Sequence, residues 1–313
     1  MKAVRFHQYG DSDVLRYEDV QQPVPAAGEV RIRVAASAFN PVDDGIRGGY
    51  LQQVFPVTLP HVPGIEVSGT VDALGEGVAN VAAGDDVIAF LPMTADGAAA
   101  EYVVAPAAAL APAPAGIPLA DAAALPMVGL TAWQALFDDA GLTDGQRILI
   151  NGAGGAVGGY AVQLAKRAGA HVIATASPRS SARVRAAGAD EVIDHTSSAV
   201  TVAEPVDVLL NLARIAPEQL EALAALAALV RDGGVVVNTV PTIPTPADEQ
   251  RGVRAVGVFV RSDAEQLAQL SALVEAGELR VEVAERVALA ELPALHARAA
   301  SGELSGKAIV LPE

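Results

Sequence analysis

The pattern of apolar and polar positions changes in kind at about residue 120. Before that point apolar residues alternate with polar or small ones, as at Val30, Ile32 and Val34, which predicts half-buried strands. Turns that contain glycine or proline separate these short segments, so the first part of the chain is predicted to be β-rich. Further strands are expected at 67–74, 86–91 and 101–104.

From Asp121 onward, predicted strands and helices alternate. Strands are predicted at 147–151, 171–176, 191–194, 206–210, 234–240 and 255–260, and the first of them contains the buried run 148–150. Helical segments are predicted between or after these strands, at 157–168, 180–188, 217–231 and 263–276. Alternation of this kind is typical of a parallel sheet with helices on both faces. The sequence therefore predicts an α/β fold in which a doubly wound parallel sheet accompanies a β-rich domain.

The C-terminal segment returns to strand-like patterns at 280–283 and 307–310, around a helix near 291–301. We expect this segment to rejoin the β-rich domain, which is then discontinuous in sequence. The predicted domains are 1–120 together with 278–313, and 121–277.

A glycine cluster directly follows the predicted strand 147–151 and leads into the predicted helix 157–168. Dinucleotide-binding units require this order of strand, turn and helix, because the backbone must approach a pyrophosphate closely. The helix that follows directs its unpaired N–H groups toward the anion. The candidate cofactor-binding turn consists of Gly152, Ala153, Gly154, Gly155, Ala156, Val157 and Gly158.

The end of the next predicted strand bears on the choice of cofactor. Units that bind NAD place a carboxylate about 20 residues beyond the glycine turn, where it binds the ribose diol. Here the strand 171–176 is followed by Ser177, Pro178 and Arg179, without a carboxylate. A hydroxyl and a guanidinium suit a 2′-phosphate, so the sequence favours NADPH over NADH. The alternative is that Arg179 merely begins a solvated helix.

Charge and cysteine content narrow the classes of function. The formal net charge is −16, which argues against nucleic-acid phosphates and anionic membranes as partners. The chain has no cysteine, which excludes disulfides, thiolate zinc sites and cysteine nucleophiles. The N-terminal residues form no signal-peptide core, and no apolar stretch has the length of a membrane span. We therefore expect a cytoplasmic protein.

Six segments match one family in the same order along the chain, namely 28–30, 38–43, 63–66, 84–87, 129–132 and the glycine turn. On these motifs the sequence resembles the medium-chain dehydrogenase/reductase superfamily, specifically its zinc-free quinone oxidoreductase branch. The resemblance implies a GroES-like substrate domain, a Rossmann domain inserted into it, and a cleft between the two.

The resemblance also locates the positions where zinc-dependent relatives hold a catalytic metal with two cysteines and a histidine. These positions are Asn40, Ile65 and, approximately, Met127, none of which can replace a thiolate or an imidazole ligand. Val42 stands where those relatives relay the alcohol proton. Alcohol oxidation needs a Lewis acid, so these departures disfavour it. We expect metal-free hydride transfer from NADPH to a quinone or an α,β-unsaturated ketone.

The resemblance assigns roles to residues outside the glycine turn. Asn40 is placed near the nicotinamide and the substrate carbonyl, and Tyr50 is a candidate proton donor. The competing interpretations are a turn-forming asparagine before proline and a surface tyrosine. Asn211 and Thr239 with Val240 follow predicted strands, at the ends where α/β sheets bind ligands. The remaining candidate cofactor contacts are Thr131, His195, Phe259, Val260 and Lys307.

These remaining candidates also have ordinary structural alternatives. Thr131 is alternatively a helix residue whose hydroxyl bonds to the preceding turn, and His195 is alternatively an exposed loop histidine. Phe259 and Val260 would otherwise end a buried strand, and Lys307 would be a solvated edge lysine.

Two other functions stay open at this point. An enoyl reductase that acts on a thioester shares the fold, although few Lys and Arg residues are available for its bulky anionic substrate. A protein of another class would bind NADPH as a non-catalytic sensor, and the acidic charge disfavours the RNA-binding variant of that idea. The resemblance further implies a homodimer formed through 255–260.

Overall fold

The computed structural model describes residues 1–214, 220–240 and 243–312, and the chain divides into two compact units. The first unit comprises Met1–Met127 with Ser262–Glu313, and the second comprises Val128–Arg261. Strands in both units and helices around a parallel sheet confirm the predicted α/β fold class.

The first unit is built mainly from antiparallel strands. The N-terminal segment contributes β1 (Lys2–Phe6), β2 (Leu15–Asp19), β3 (Glu29–Ala38), β4 (Glu66–Leu74), β5 (Asp86–Phe90), β6 (Tyr102–Pro106) and β7 (Leu110–Pro112). The C-terminal segment adds β14 (Glu285–Ala288) and β15 (Ala308–Leu311). The main sheet has the order β14-β15-β3-β4-β5-β7, with β6 paired to β3, whereas β1 and β2 pair only with each other among the described strands.

The α-helices that the structure describes wholly within the first unit are α1 (Pro41–Arg47), α6 (Ala264–Glu275) and α7 (Leu292–Ala300). The helix α2 (Pro126–Trp133) begins at its boundary with the second unit. Along β3 the residues Val30, Ile32 and Val34 are buried and join one apolar core with β4 and β5. The alternation of apolar and polar residues along β3 therefore corresponds to a strand with one face packed against an apolar core.

The second unit contains a six-stranded parallel sheet. Its strands are β8 (Arg147–Asn151), β9 (His171–Ala176), β10 (Glu191–Asp194), β11 (Val206–Asn211), β12 (Val230–Asn238) and β13 (Arg254–Gly257). The order across the sheet is β10-β9-β8-β11-β12-β13, the doubly wound order of dinucleotide-binding folds. The helices that the structure describes here are α3 (Ala156–Arg167), α4 (Pro178–Ala186) and α5 (Leu220–Ala227). No helix among the described residues is long and apolar enough to cross a bilayer.

The two ends of the second unit are held together by hydrogen bonds. A π-helical turn, Gln134–Asp139, follows α2 directly. The side-chain amide of Gln134 donates to the Arg261 carbonyl and accepts from the Arg261 N–H, both at 3.0 Å. Arg261 also forms an ion pair with Asp138 at 2.7 Å. The chain therefore enters and leaves this unit at one place.

The unit boundaries differ from the domain boundaries predicted from the sequence. Residues 121–127 and α6, which the prediction assigned to the second domain, lie in the first unit. Helix α6 packs against β7, and the Ser271 hydroxyl donates to the Pro112 carbonyl at 2.7 Å. Helical periodicity alone could not show which sheet this helix covers.

Several predicted elements also need correction. The segment 280–283 is not a strand; Val281 and Val283 alternate because they pack against a small core, and the strand that pairs with β15 begins at Glu285. The predicted helix 217–231 runs too far, because Val230 already pairs with Val206 in the sheet. The strands predicted at 234–240 and 255–260 were drawn too long at their C-terminal ends, because β12 ends at Asn238 and β13 ends at Gly257. Residues 217–219 lie outside the described residues.

Candidate functional site

The glycine turn has the geometry of a phosphate-binding loop. Gly152 adopts φ of +84°, a conformation that favours glycine, and its N–H donates to the Thr175 hydroxyl at 2.9 Å. Gly155 is exposed at the N-cap of α3, where the first N–H groups of the helix have no helical partner. Ala153 is buried below the turn. The turn therefore fits a pyrophosphate at a helix N-terminus.

Gly158 explains why the helix can lie so close to the turn. A Cβ at this position would lie 2.4 Å from the Ala153 carbonyl oxygen and 2.5 Å from the Ala153 Cα. Neither atom belongs to a side chain that could rotate away. Ala156 and Val157 form the half-buried first turn of the helix before this contact.

The start of α4 lies beside the glycine turn. Ser177 is the N-cap residue of α4, and Arg179 is exposed in its first turn. A Cβ on Gly154 would lie 2.4 Å from the Ser180 hydroxyl, so only glycine leaves room there. Ser177 and Arg179 therefore lie at a helix N-terminus next to the turn, a position that suits a phosphate group.

Arg183 is a site residue that the sequence analysis missed. Its guanidinium donates to the Gly154 carbonyl at 2.5 Å, which ties α4 to the glycine turn. Arg183 follows Arg179 by four residues, so the two side chains share one face of α4. That spacing was visible in the sequence and could have identified it.

Asn211, which is predicted to contact the nicotinamide ribose, lies at the carboxyl end of β11. Its side chain is fully buried, and its amide hydrogens are donated to the Asn238 side chain at 2.9 Å and the Ala213 carbonyl at 3.2 Å. Its side-chain oxygen accepts from Asn151 at 2.8 Å. Both amide hydrogens of Asn211 are therefore bonded to neighbouring residues of the second unit.

Asn40, Glu66 and Lys307 form a buried polar cluster in the first unit. Glu66 is fully buried, and Asn40 and Lys307 are exposed by only 1% and 3%. The Lys307 ammonium donates to Glu66 Oε1 at 2.5 Å and to Asn40 Oδ1 at 2.6 Å. Asn40 Nδ2 donates to the same Glu66 oxygen at 2.7 Å, and the other carboxylate oxygen accepts from the Met127 N–H at 2.8 Å. Lys307 is therefore not a solvated edge lysine, because its ammonium is buried within this cluster.

Asp43 adds a second buried carboxyl to this cluster. Its oxygens accept from the N–H of Asn40 at 2.8 Å and of Gly64 at 3.3 Å. Burial raises the pKa of Asp43 to about 7, and the two N–H groups and the Lys307 ammonium limit the rise, whereas Glu66 adds to it. The cluster therefore holds two carboxyl groups around one ammonium.

Asn40 has little freedom to act as a direct substrate contact. It caps the N-terminus of α1, as the turn interpretation expects, and its second amide hydrogen points to the Ala38 carbonyl at 3.4 Å. To bind a carbonyl group it would have to exchange one of these bonds. Its observed partners make it a residue that orders the cluster.

The other predicted site residues lie at varied depths. Tyr50 is 84% exposed, and His195 is exposed in the loop after β10. Phe259 is 67% exposed, so it does not end a buried strand. Thr131 is buried within α2. Thr239, Val240 and Val260 are half-buried.

Comparison with known proteins identifies the family. Residues 26–115 match the model of the alcohol dehydrogenase GroES-like domain, and residues 187–310 match that of the zinc-binding dehydrogenase. A chloroplast envelope quinone oxidoreductase homolog from Arabidopsis thaliana is 33% identical over 100% of this chain and 98% of its own. The chain belongs to the quinone oxidoreductase branch of the medium-chain dehydrogenase/reductase superfamily.

Solved structures support this membership over the whole fold. A quinone oxidoreductase from Coxiella burnetii has a TM-score of 0.88 at 30% identity, covering 99% of both chains. A mycobacterial protein solved in complex with NADPH has a TM-score of 0.84 at 28% identity, covering 100% of both chains. The resemblance and the GroES-like and Rossmann architecture predicted from the sequence are confirmed, and this branch member is an NAD(P)H-dependent oxidoreductase.

The zinc named in one family model does not fit the residues of this branch member. Of the three positions, Asn40 offers an oxygen that already accepts from Lys307, Ile65 offers only hydrocarbon, and Met127 offers a weak thioether. An ammonium bonded to the one oxygen donor would also repel a dication. Within the described ranges, no three His, Cys, Asp or Glu side chains are grouped so that they could hold a metal ion.

Proposed function

We propose that the protein is a zinc-independent, NADPH-dependent reductase that transfers a hydride to a quinone or an α,β-unsaturated ketone. The observation that carries the proposal is the donor set at Asn40, Ile65 and Met127, which does not fit the Lewis acid that alcohol oxidation requires. Acceptors that are already electrophilic do not need one. Family membership supports the quinone class, since relatives carry that name.

The dinucleotide would be held by the second unit. The N-terminus of α3 at Gly155 binds the pyrophosphate, while Ser177 and Arg179 bind the 2′-phosphate. When bound, NADPH supplies the hydride. Addition of the hydride moves an electron pair onto a carbonyl oxygen of the acceptor, and a proton from solvent or from the exposed Tyr50 completes the reduced product.

The first test measures turnover and its dependence on metal. We expect the protein to oxidise NADPH in the presence of 9,10-phenanthrenequinone or 1,4-benzoquinone, measured as loss of NADPH absorbance. Because no Lewis acid takes part, kcat/KM should change less than twofold after prolonged treatment with EDTA. A panel that includes an enone and an enoyl thioester would separate the alternatives. Measurable NADPH binding without oxidation by any acceptor would favour the sensor function instead.

The cofactor assignment predicts a selective effect at Arg179. Loss of a charge-assisted hydrogen bond to a phosphate is worth about 1.5 to 3 kcal/mol, so Arg179→Ala should weaken NADPH binding by about 10- to 150-fold. The affinity for NADH should change less than about twofold, because NADH has no 2′-phosphate. Isothermal titration calorimetry with both cofactors measures the two constants.

Two further substitutions on α4 control this result. Arg185, whose side chain bonds to Ser181, is exposed on the same helix, and Arg185→Ala should leave both affinities unchanged. Arg183→Ala removes the bond to Gly154 and should weaken both cofactors, because it loosens the glycine turn. Equal losses of NADPH and NADH affinity in Arg179→Ala would show that the phosphate assignment is wrong.

Two other expectations remain predictions. Strand β13 lies at one edge of the parallel sheet, and we predict that a homodimer forms through this segment. We also predict a cytoplasmic location, although the Arabidopsis thaliana relative is named for the chloroplast envelope.

A further inference from the structure

A row of buried polar side chains crosses the carboxyl ends of four neighbouring strands in the second unit. Thr175, Asn151, Asn211 and Asn238 come from β9, β8, β11 and β12. Asn151 pairs in register with Asn211, and Asn211 pairs in register with Asn238. All four are buried, and the exposed fraction of Asn151, the largest, is 9%. Buried amides are retained at a cost unless each hydrogen-bonding group finds a partner.

The side chains form one continuous chain of hydrogen bonds. The Thr175 hydroxyl donates to Asn151 Oδ1 at 2.8 Å, and Asn151 Nδ2 donates to Asn211 Oδ1 at 2.8 Å. Asn211 Nδ2 then donates to Asn238 Oδ1 at 2.9 Å. The backbone N–H of Gly152 donates to Thr175, and this fixed donor sets the direction of every later bond. Rotation of any one amide by half a turn would bring like atoms together.

Each end of the hydrogen-bond chain is bonded to a loop: the glycine turn after β8 at one end and the segment 239–240 after β12 at the other. At one end is the glycine turn, through Gly152. At the other end, Asn238 bonds to both the N–H and the carbonyl of Val240, each at 3.1 Å. In the middle, Thr239 donates to the Asn211 carbonyl through its N–H and its hydroxyl, also at 3.1 Å. The loops therefore share one network of uncharged groups.

We propose that this asparagine chain, Thr175–Asn151–Asn211–Asn238, positions the glycine turn and the segment 239–240 as one rigid unit, so that both ends of the dinucleotide are bound at a fixed separation. The inference rests on the proposed cofactor function. Asn211 is the central positioning residue. Its side chain makes three hydrogen bonds, and these join Asn151, on the side of the glycine turn, to Asn238, on the side of the segment 239–240. It acts through its neighbours and not by touching the cofactor.

Asn211→Asp tests the proposal because the introduced carboxyl can complete the chain only when protonated. One carboxyl oxygen can accept from Asn151, but the other would face the oxygens of Asn238 and Ala213. Protonation restores a donor to Asn238. We expect NADPH affinity within about threefold of the parent protein at pH 6 and at least about tenfold weaker at pH 8.5, each expressed as the ratio to the parent at the same pH.

Binding of a cofactor fragment distinguishes a loss of positioning between the two segments from a general loss of folded structure. 2′,5′-ADP carries the phosphates of the adenosine end but no nicotinamide, so it needs only the glycine-turn side of the chain. Because this fragment does not span the two segments, its loss of affinity in Asn211→Asp at pH 8.5 should be at least about threefold smaller than the loss for NADPH. Asn80→Asp, an exposed asparagine of the first unit that donates to Ala107, is the matched control and should change neither ligand. Equal weakening of both ligands, or a pH-independent ratio, would overturn the proposal.

Amide hydrogen exchange of the ligand-free protein tests the asparagine chain independently of the proposed NADPH function. If the parent protein binds no NADPH, the proposed function fails, but the asparagine chain still predicts coupled protection of two segments. Asn211→Asp at pH 8.5, and Asn238→Ser if the first variant does not fold, should accelerate exchange at 152–155 and 239–240 together. Acceleration at only one of the two segments would show that the chain does not couple them.

Discussion

Replacement of Lys307 by methionine is expected to lower the free energy of unfolding by about 3 to 5 kcal/mol at pH 8. The ammonium is the only positive charge that bonds to Glu66 in the described structure, and both side chains are almost fully buried. Methionine fills a similar volume but leaves the Glu66 carboxylate and the Asn40 oxygen without their strongest donor. Urea unfolding followed by circular dichroism gives the free energy.

The pH dependence of this loss has a definite sign. The pKa of Asp43 in the folded protein, about 7, exceeds its ordinary value of 3.8, so the stability that its protonation contributes is full below pH 4 and is lost as the pH rises toward 7. Removal of the Lys307 ammonium takes away a group that lowers this pKa, which extends the loss to higher pH. The stability difference between Lys307→Met and the parent should therefore grow from pH 5 to pH 8.

Two variants control the interpretation. Lys166→Met removes an ion pair with Asp190 of similar length, 2.6 Å, but its lysine side chain is 45% exposed, so the cost should stay below about 1 kcal/mol. Adding Glu66→Gln to Lys307→Met removes the unpaired charge and should recover part of the stability. A loss in Lys307→Met no larger than that in Lys166→Met would contradict the buried-cluster account.

Gly158→Ala is expected to weaken NADPH binding at least about 100-fold and to destabilise the fold by about 1 to 3 kcal/mol. The added methyl group would collide with the carbonyl oxygen and Cα of Ala153, so helix α3 must move away from the glycine turn. The helix N-terminus would then no longer lie where the turn presents the pyrophosphate. Calorimetric titration and thermal unfolding measure the two effects.

The next residue supplies a matched control. A Cβ on Gly159 would meet nothing within 4 Å, although it lies in the same helix. Gly159→Ala should therefore keep cofactor affinity and stabilise the protein by up to about 1 kcal/mol, as alanine does within helices. If both variants bound NADPH equally well, the contact at Gly158 would not be required for the turn.

The features predicted best from the sequence are those encoded locally. Strands β8, β9 and β10 have the bounds that the sequence predicted. For β8 and β9 the reason is that a parallel strand with both faces covered has a nearly continuous apolar run. The glycine turn was equally visible, since its strand, turn and helix are contiguous. The unit to which α6 belongs could not be predicted, because its amphipathic pattern does not specify which sheet the helix covers.

The buried polar networks could not be predicted in this way. Lys307 and Glu66 meet across 241 residues of sequence, and no local pattern distinguishes such a lysine from a solvated one. Asn211 lies at the end of a parallel strand, as predicted, but the hydrogen bonds that link it to other asparagines were not foreseen. Its role depends on Asn151 and Asn238 lying opposite it in register, which only the assembled sheet reveals.

The paired bonds between Gln134 and Arg261 have a consequence for the architecture as a whole. A segment whose entry and exit are side by side can be spliced into a host chain without stretching it, and the entropy of closing so large a loop rises only with the logarithm of its length. The second unit therefore has the adjacent chain ends that are typical of an inserted domain. We expect that exchange of residues 134–261 between relatives would transfer the cofactor preference of the donor protein. The buried cluster of Lys307, Glu66 and Asn40 lies outside the exchanged segment and would stay intact.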